Sequence, residues 1–97
     1  MDGLSFARDE QKAAQNARKH KVSFEEAMSV CLDENAVEFF DPDHSEDEDR
    51  FLMLGVGWRL RLLVVHYSLR RRGRQIRIIS ARKATKNEAK AYPWGSQ

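Results

Sequence analysis

An α+β fold, an N-terminal α-helical hairpin packed on an antiparallel sheet, is predicted by three features of this 97-residue chain. Apolar residues in the first third recur at helical spacing. From residue 36 onward they gather in short strand-like runs, and the breaks between runs carry capping and turn residues.

The segment from Asp9 to Lys19 is rich in Ala, Gln, Lys and Arg, with Ala13, Ala14 and Ala17 on one face, which predicts a first helix. SFEE, Ser23 to Glu26, has the form of a capping box and opens a second. There Phe24, Ala27, Met28 and Cys31 fall at i, i+3, i+4 and i+7, so that Glu25, Glu26 and Ser29 are expected to face water. His20 and Lys21 form the tight connection. Runs at 36–41, 50–56, 60–68 and 75–82 predict four strands in meander order, with room for a short extra strand at the N-terminus. Gly55, Gly57 and Trp58 read as a hairpin turn and RRRGR, 70–74, as a longer basic one. Strict alternation in the last run puts Gln75, Arg77, Ile79 and Ala81 on one face, making Arg77 a guest among apolar neighbours, and Ile76, Ile78, Ser80 and Arg82 on the other. Thr85 to Glu88 is another capping box, opening a short helix that runs to about Tyr92, where Pro93 stops it.

Composition narrows the class. A chain of this length is expected to form one domain, 1–97, and to bury roughly two-thirds of its unfolded surface. Its apolar runs, such as Leu62 to Val65, are far shorter than the roughly 18 residues a membrane span needs, and MDGLSFARDE has no apolar leader core; a soluble, cytoplasmic protein is expected. The lone Cys31 lies on the apolar helical stripe, which predicts a buried structural thiol and excludes an internal disulfide or a CxxC pair.

Net charge is only +2, but it divides sharply. Residues 1–49 hold 5 Lys/Arg against 14 Asp/Glu, or −9, and residues 50–97 hold 12 against 1, or +11. A polyanion meeting the C-terminal half would explain this; so would a surface ion network between the halves. DPDHSEDEDR, 41–50, with six acids in ten positions, fails as an EF-hand, because Glu46 and Leu52 stand where the Gly and the final Glu belong. Most of it reads as a solvated turn.

No metal or cofactor is expected, since the three histidines are scattered and GVGWRL, 55–60, lacks the helix that a phosphate loop needs. What remains is arginines and a few acid/base candidates; RNA cleavage needs a base for the 2′-OH, an acid for the leaving oxygen and cations for the phosphorane, roles that His, Lys, Arg, Tyr and Glu can supply without metal. His20 is a candidate base or a simple helix-end residue; His66, on LLVVHY, reads as a packed core histidine. Arg70, Arg71, Arg72 and Arg74 read as a solvated turn that attracts RNA. Arg50, Arg77 and Arg82, on apolar strands, are the preferred phosphate ligands, held on rigid backbone.

KHKVSFEEA (19–27), DPDHSEDEDRFLMLG (41–55), LLVV (62–65) and IRIISARKATKNEAKAY (76–92) together resemble the BrnT toxins of bacterial type II toxin-antitoxin systems. The usual pattern there is KHGVSFEEA, with Lys21 here in place of the Gly, and a Trp is common where this chain has Arg8. The resemblance implies a RelE-like ribonuclease fold, a toxin that cuts RNA and halts translation, and a BrnA-like ribbon-helix-helix antitoxin that neutralises it and binds operator DNA. Lys19, His20, His44, Ser45, Glu48, Arg50, Arg77, Ser80, Arg82 and Tyr92 fall on family-typical residues. The candidate catalytic set is therefore Lys19, His20, Glu48, Arg50, Arg77 and Arg82, with Arg70, Arg71, Arg72, Arg74 and Tyr92 as RNA contacts. Glu48 is expected to orient Arg50, to act as a base, or merely to pin the hairpin, and Arg50 to face the same groove as Arg77. The competing readings are a non-catalytic nucleic-acid-binding module and a partner-binding protein.

Overall fold

A computed structural model describes residues 5–44, 48–70 and 72–94. Its elements are β1 (Ser5–Ala7), α1 (Glu10–His20), α2 (Phe24–Ser29) with a 3-10 turn at Val30–Leu32, β2 (Val37–Phe40), a 3-10 turn at Pro42–His44, β3 (Arg50–Val56), β4 (Leu62–Arg70), β5 (Gln75–Lys83) and α3 (Lys86–Ala89). The sheet order is β1-β5-β4-β3-β2. The four later strands form the expected antiparallel meander, and the extra N-terminal strand pairs parallel to β5, so the sheet is mixed.

The caps are as the sequence implies. Asp9 Oδ1 accepts from the Gln11 and Lys12 N–H groups at 2.8 and 3.3 Å, and α1 ends where Lys21 takes a left-handed conformation (φ 60°). Lys21 thus adopts the geometry a glycine favours at a helix C-terminus, and the turn itself is kept. At α2 the Ser23 hydroxyl accepts from Glu26 N–H, but the other half of the capping box is missing. Contrary to expectation, the Glu26 side chain is 1 % exposed: its two oxygens take a fork from Arg61 Nε (2.9 Å) and Nη2. Ser29 is likewise engaged, donating to Glu26 C=O at 2.6 Å and accepting from Trp58 N–H at 2.9 Å. Gly57 lies so close beneath α2 that an added Cβ would meet Ser29 Oγ at 2.8 Å. Gly55 belongs to β3 and the reversal falls at Gly57–Arg61, with Leu60 at positive φ. Thr85 and Glu88 complete a full capping box; α3 is shorter than expected, its last residues continuing as single turns to Tyr92.

One face of the sheet packs under the helices. Val22, Phe24, Ala27 and Val30 bury against Leu63, Val65, Tyr67, Ile76, Ile78 and Ala81. Each buried Val, Leu, Ile or Phe among them contributes about 1.5–3 kcal/mol of transfer free energy. Half-buried Cys31 packs against this core, less enclosed than the buried thiol expected from the sequence; burial, then the Glu38 carboxylate, pushes its thiol pKa up. Ile76, Ile78 and Ala81 share this face because β5 carries a bulge. Tyr67 pairs with Ile78 and His66 with Ser80, leaving Ile79 as an extra residue. The strict alternation expected for β5 therefore breaks at Ile79, and Arg77 is no guest among core residues: Arg77, Ser80 and Arg82 face the opposite way.

On that second face the outer half is closed by a smaller apolar group, Leu54, Val64 and Tyr92 with Leu52, Val56, Leu62 and Ala84. The other half is polar.

Candidate active site

Register places the polar residues in rows across β3, β4 and β5. One row reads Arg50, Ser68, Arg77 and the next Leu52, His66, Ser80. Facing residues on adjacent strands alternate faces in step, so Arg50 and Arg77 emerge on one face, two strand spacings apart, or roughly 10 Å. Two guanidinium groups at that separation can reach inward to one phosphodiester.

Glu48 stands at the start of this face. Its side chain is 19 % exposed; Oε1 accepts from Arg70 Nε at 3.0 Å, and Oε2 lies 3.8 Å from Arg50 Nε. Burial raises its pKa, but hydrogen bonding to Arg70 and the charges of Arg70 and Arg77 outweigh this and hold the carboxyl below its ordinary range. A carboxylate so placed fixes two arginines. Arg70 is accordingly the last residue of β4 and a partner of Glu48, not part of a freely solvated turn.

Two depressions meet at the bulge. Asp41, Arg50, His66 and Ile79 line one of about 210 Å³, together with Phe51 and Tyr67. Lys12, Lys19, His20, Ile79 and Ser80 line the other, about 260 Å³, with Gln15 and Asn16. The two helix-end candidates, Lys19 and His20, are thus brought to the flank of the sheet site. His66, expected in the core, is instead half-buried and turned to the Arg50 side. The signal that could have found it is its parity: His66 is two residues from Val64 and Ser68, and its helix-facing neighbours are Val65 and Tyr67.

Other candidates lie elsewhere. Arg82 is on the same face but gives both terminal nitrogens to Glu88, Nη1–Oε1 and Nη2–Oε2 each 2.8 Å. Tyr92 is 8 % exposed and its hydroxyl donates to Asp33 Oδ2 at 2.6 Å, which ties it to the far end of the strands from the arginine row. Arg72 and Arg74 are exposed in the β4–β5 turn. Ser45, Arg71 and the His44 side chain lie outside the described residues. A further depression, about 510 Å³ among Leu32, Trp58, Leu60, Tyr92 and Trp94, is at the opposite end of the strands, and of the candidates it takes in Tyr92, not the arginine row. Among the described residues no three His, Cys, Asp or Glu side chains gather as metal ligands, and no helix is long and apolar enough to cross a membrane.

A helix-backed sheet whose open face gathers arginines, a carboxylate and imidazoles defines a small α+β protein directed at phosphodiesters. The profile of the family described as "Ribonuclease toxin, BrnT, of type II toxin-antitoxin system" matches residues 9–88, and the chain belongs to that family of ribonuclease toxins. Among solved structures it is similar to the crystal structure of the Brucella abortus ribonuclease toxin, BrnT, at 20 % identity and a TM-score of 0.63, covering 86 % of this chain and 99 % of that one. At that identity the likeness is one of fold. No curated protein matches the sequence.

Proposed function

We propose that this chain is an endoribonuclease toxin whose reaction takes place on the polar half of the open sheet face, without metal, and halts translation by cutting RNA. The observation that carries the reading is the row Arg50, Ser68, Arg77 with Glu48 set against Arg50 and Arg70. Arg50 and Arg77 grip the phosphate and neutralise charge that builds up as the 2′-oxygen attacks, where fixed donors stabilise most. Glu48 holds Arg50 and Arg70 in place. Lys19 and His20 approach the same face from the end of α1, with His20 as the base that takes the 2′-OH proton. Arg72, Arg74 and Arg71 draw the RNA backbone in by charge alone. Arg82 supports β5 through Glu88.

A type II system pairs its toxin with a protein antitoxin. For this chain we take the partner to be a BrnA-like ribbon-helix-helix protein that covers the arginine face and carries the complex to operator DNA. The site would be tested by incubating end-labelled RNA in EDTA with the native chain, Arg50→Ala and Arg77→Ala, each checked for an unchanged circular dichroism spectrum. Cleavage by the native chain with losses of about 10²-fold or more in both variants is expected; full activity in both would show the face to be the wrong one.

A further inference from the structure

Each of the two depressions that share Ile79 has one imidazole in its lining. His20 lines one and His66 the other, and Ile79, the extra residue of the bulge, forms a wall of both. Without the bulge, Ser80 would turn to the core and the edge of β5 would not open toward α1. The bulge is therefore what joins the end of α1 to the arginine row.

We infer that His66 is the general acid of the reaction, protonating the 5′-oxygen that leaves, opposite His20 as the base. This rests on the reading of the sheet face given above. The groups around His66 favour the assignment. Asp41, following β2, lines the same cavity and gives an imidazolium its counter-charge; Arg50 from β3 and Arg77 from β5 are placed to hold the phosphate whose leaving oxygen is to be protonated, and Glu48 pairs with Arg50. Across Ile79, the cations near His20 are Lys12 and Lys19, with no carboxylate among the described residues that line the depression. The step balances within the substrate. The 2′-oxygen bonds to phosphorus as the P–O5′ bond breaks, His20 takes the 2′-OH proton, and His66 gives one to O5′. The products are a 2′,3′-cyclic phosphate and a 5′-hydroxyl, and exchange with water restores both rings.

A leaving group that needs no proton separates an acid from a residue that merely shapes the site. RNA would be prepared with a single 5′-bridging phosphorothioate at a linkage the native chain cuts, and cleavage of it compared with that of ordinary RNA. His66→Gln is expected to cut ordinary RNA about 10²–10⁴-fold more slowly and to recover to within about 10-fold of the native chain on the thio substrate, whereas Arg77→Ala is slow on both. An equal deficit of His66→Gln on the two substrates, or none on ordinary RNA, overturns the assignment. Full activity of Arg77→Ala on both overturns the reading of the face, independently of the His66 result. A native chain inert toward both overturns the two together.

Discussion

The Asn16 side chain pairs with the Ala81 peptide as a neighbouring strand would, accepting its N–H at 3.0 Å and donating to its C=O at 2.8 Å. It also donates to the Val22 C=O at 2.8 Å. β1 covers β5 only from Gln75 to Arg77, so beyond the bulge an amide from α1 takes over the edge. All of these groups are buried. Asn16→Ala would leave three backbone groups without partners, at about 1 kcal/mol or more each. A fall in Tm of more than about 10 °C is expected, read by thermal unfolding; a change of a few degrees would mean that the edge is satisfied in another way.

The contact between Asn16 and Ala81 is of the kind that local sequence pattern does not encode. Helix and strand positions were legible because Ser23, Thr85, Pro93 and the apolar spacing each signal a local event. The Ile79 bulge was not, since an inserted residue leaves no trace in composition, and every face assigned after it inverted. Nothing in the local pattern of α1 marks Asn16, whose acceptor and donor lie 65 residues away. Arg50 and Arg77 were expected to share a face, and they do; His66 was read as core because its apolar neighbours hid which way its own side chain turned. Tyr92 and Arg82 had the chemistry of RNA ligands, but their partners, Asp33 and Glu88, come together only in the fold.

Glu26 and Arg61 provide a second test of what local pattern misses. Glu26 is fully buried and Arg61 about one-quarter exposed, so the pair is worth more broken than counted. Arg61→Ala strands a buried carboxylate and is expected to cost about 3 kcal/mol. It also loses the hydrogen bond from Nη2 to Lys21 C=O. The double variant Glu26→Leu/Arg61→Leu should recover most of that in urea unfolding. If the double variant is no better than Arg61→Ala, packing and not charge governs the site.

Acid should release the Arg82–Glu88 pair. The fork from Arg82, aided by the Thr85 N–H, holds the Glu88 carboxyl down to about 2 from an ordinary 4.5, against a smaller opposing effect of burial. Because the folded chain binds this proton less readily than the unfolded chain, the stabilisation is complete above about 4.5 and is lost as pH falls toward 2. Glu88→Gln should therefore be less stable at neutral pH, by roughly 1 kcal/mol after allowance for solvent screening at a one-third exposed pair. Its stability should also fall less than that of the native chain between those two pH values. Parallel acid curves for the two proteins would remove Glu88 as the linked group.

Glu48 distinguishes an orienting carboxylate from a base. A general base works best with a pKa near the operating pH, and this carboxyl is held below even its ordinary range by the hydrogen bond and charge of Arg70 and the charge of Arg77. Glu48→Gln keeps the shape and removes the charge that fixes Arg70 at 3.0 Å and Arg50 at 3.8 Å. The expected result on RNA cleavage is a loss of about 10-fold, the equivalent of about 1.4 kcal/mol, with KM rising as the arginines lose their set positions and with the pH profile unchanged in form. The charge also matters to stability, which in the native chain should decline as pH falls below the ordinary carboxylate range and in Glu48→Gln should decline less. A kcat lowered by 10²-fold or more, with the acid limb of the profile gone and KM unmoved, would make Glu48 the base and displace His20 from that role.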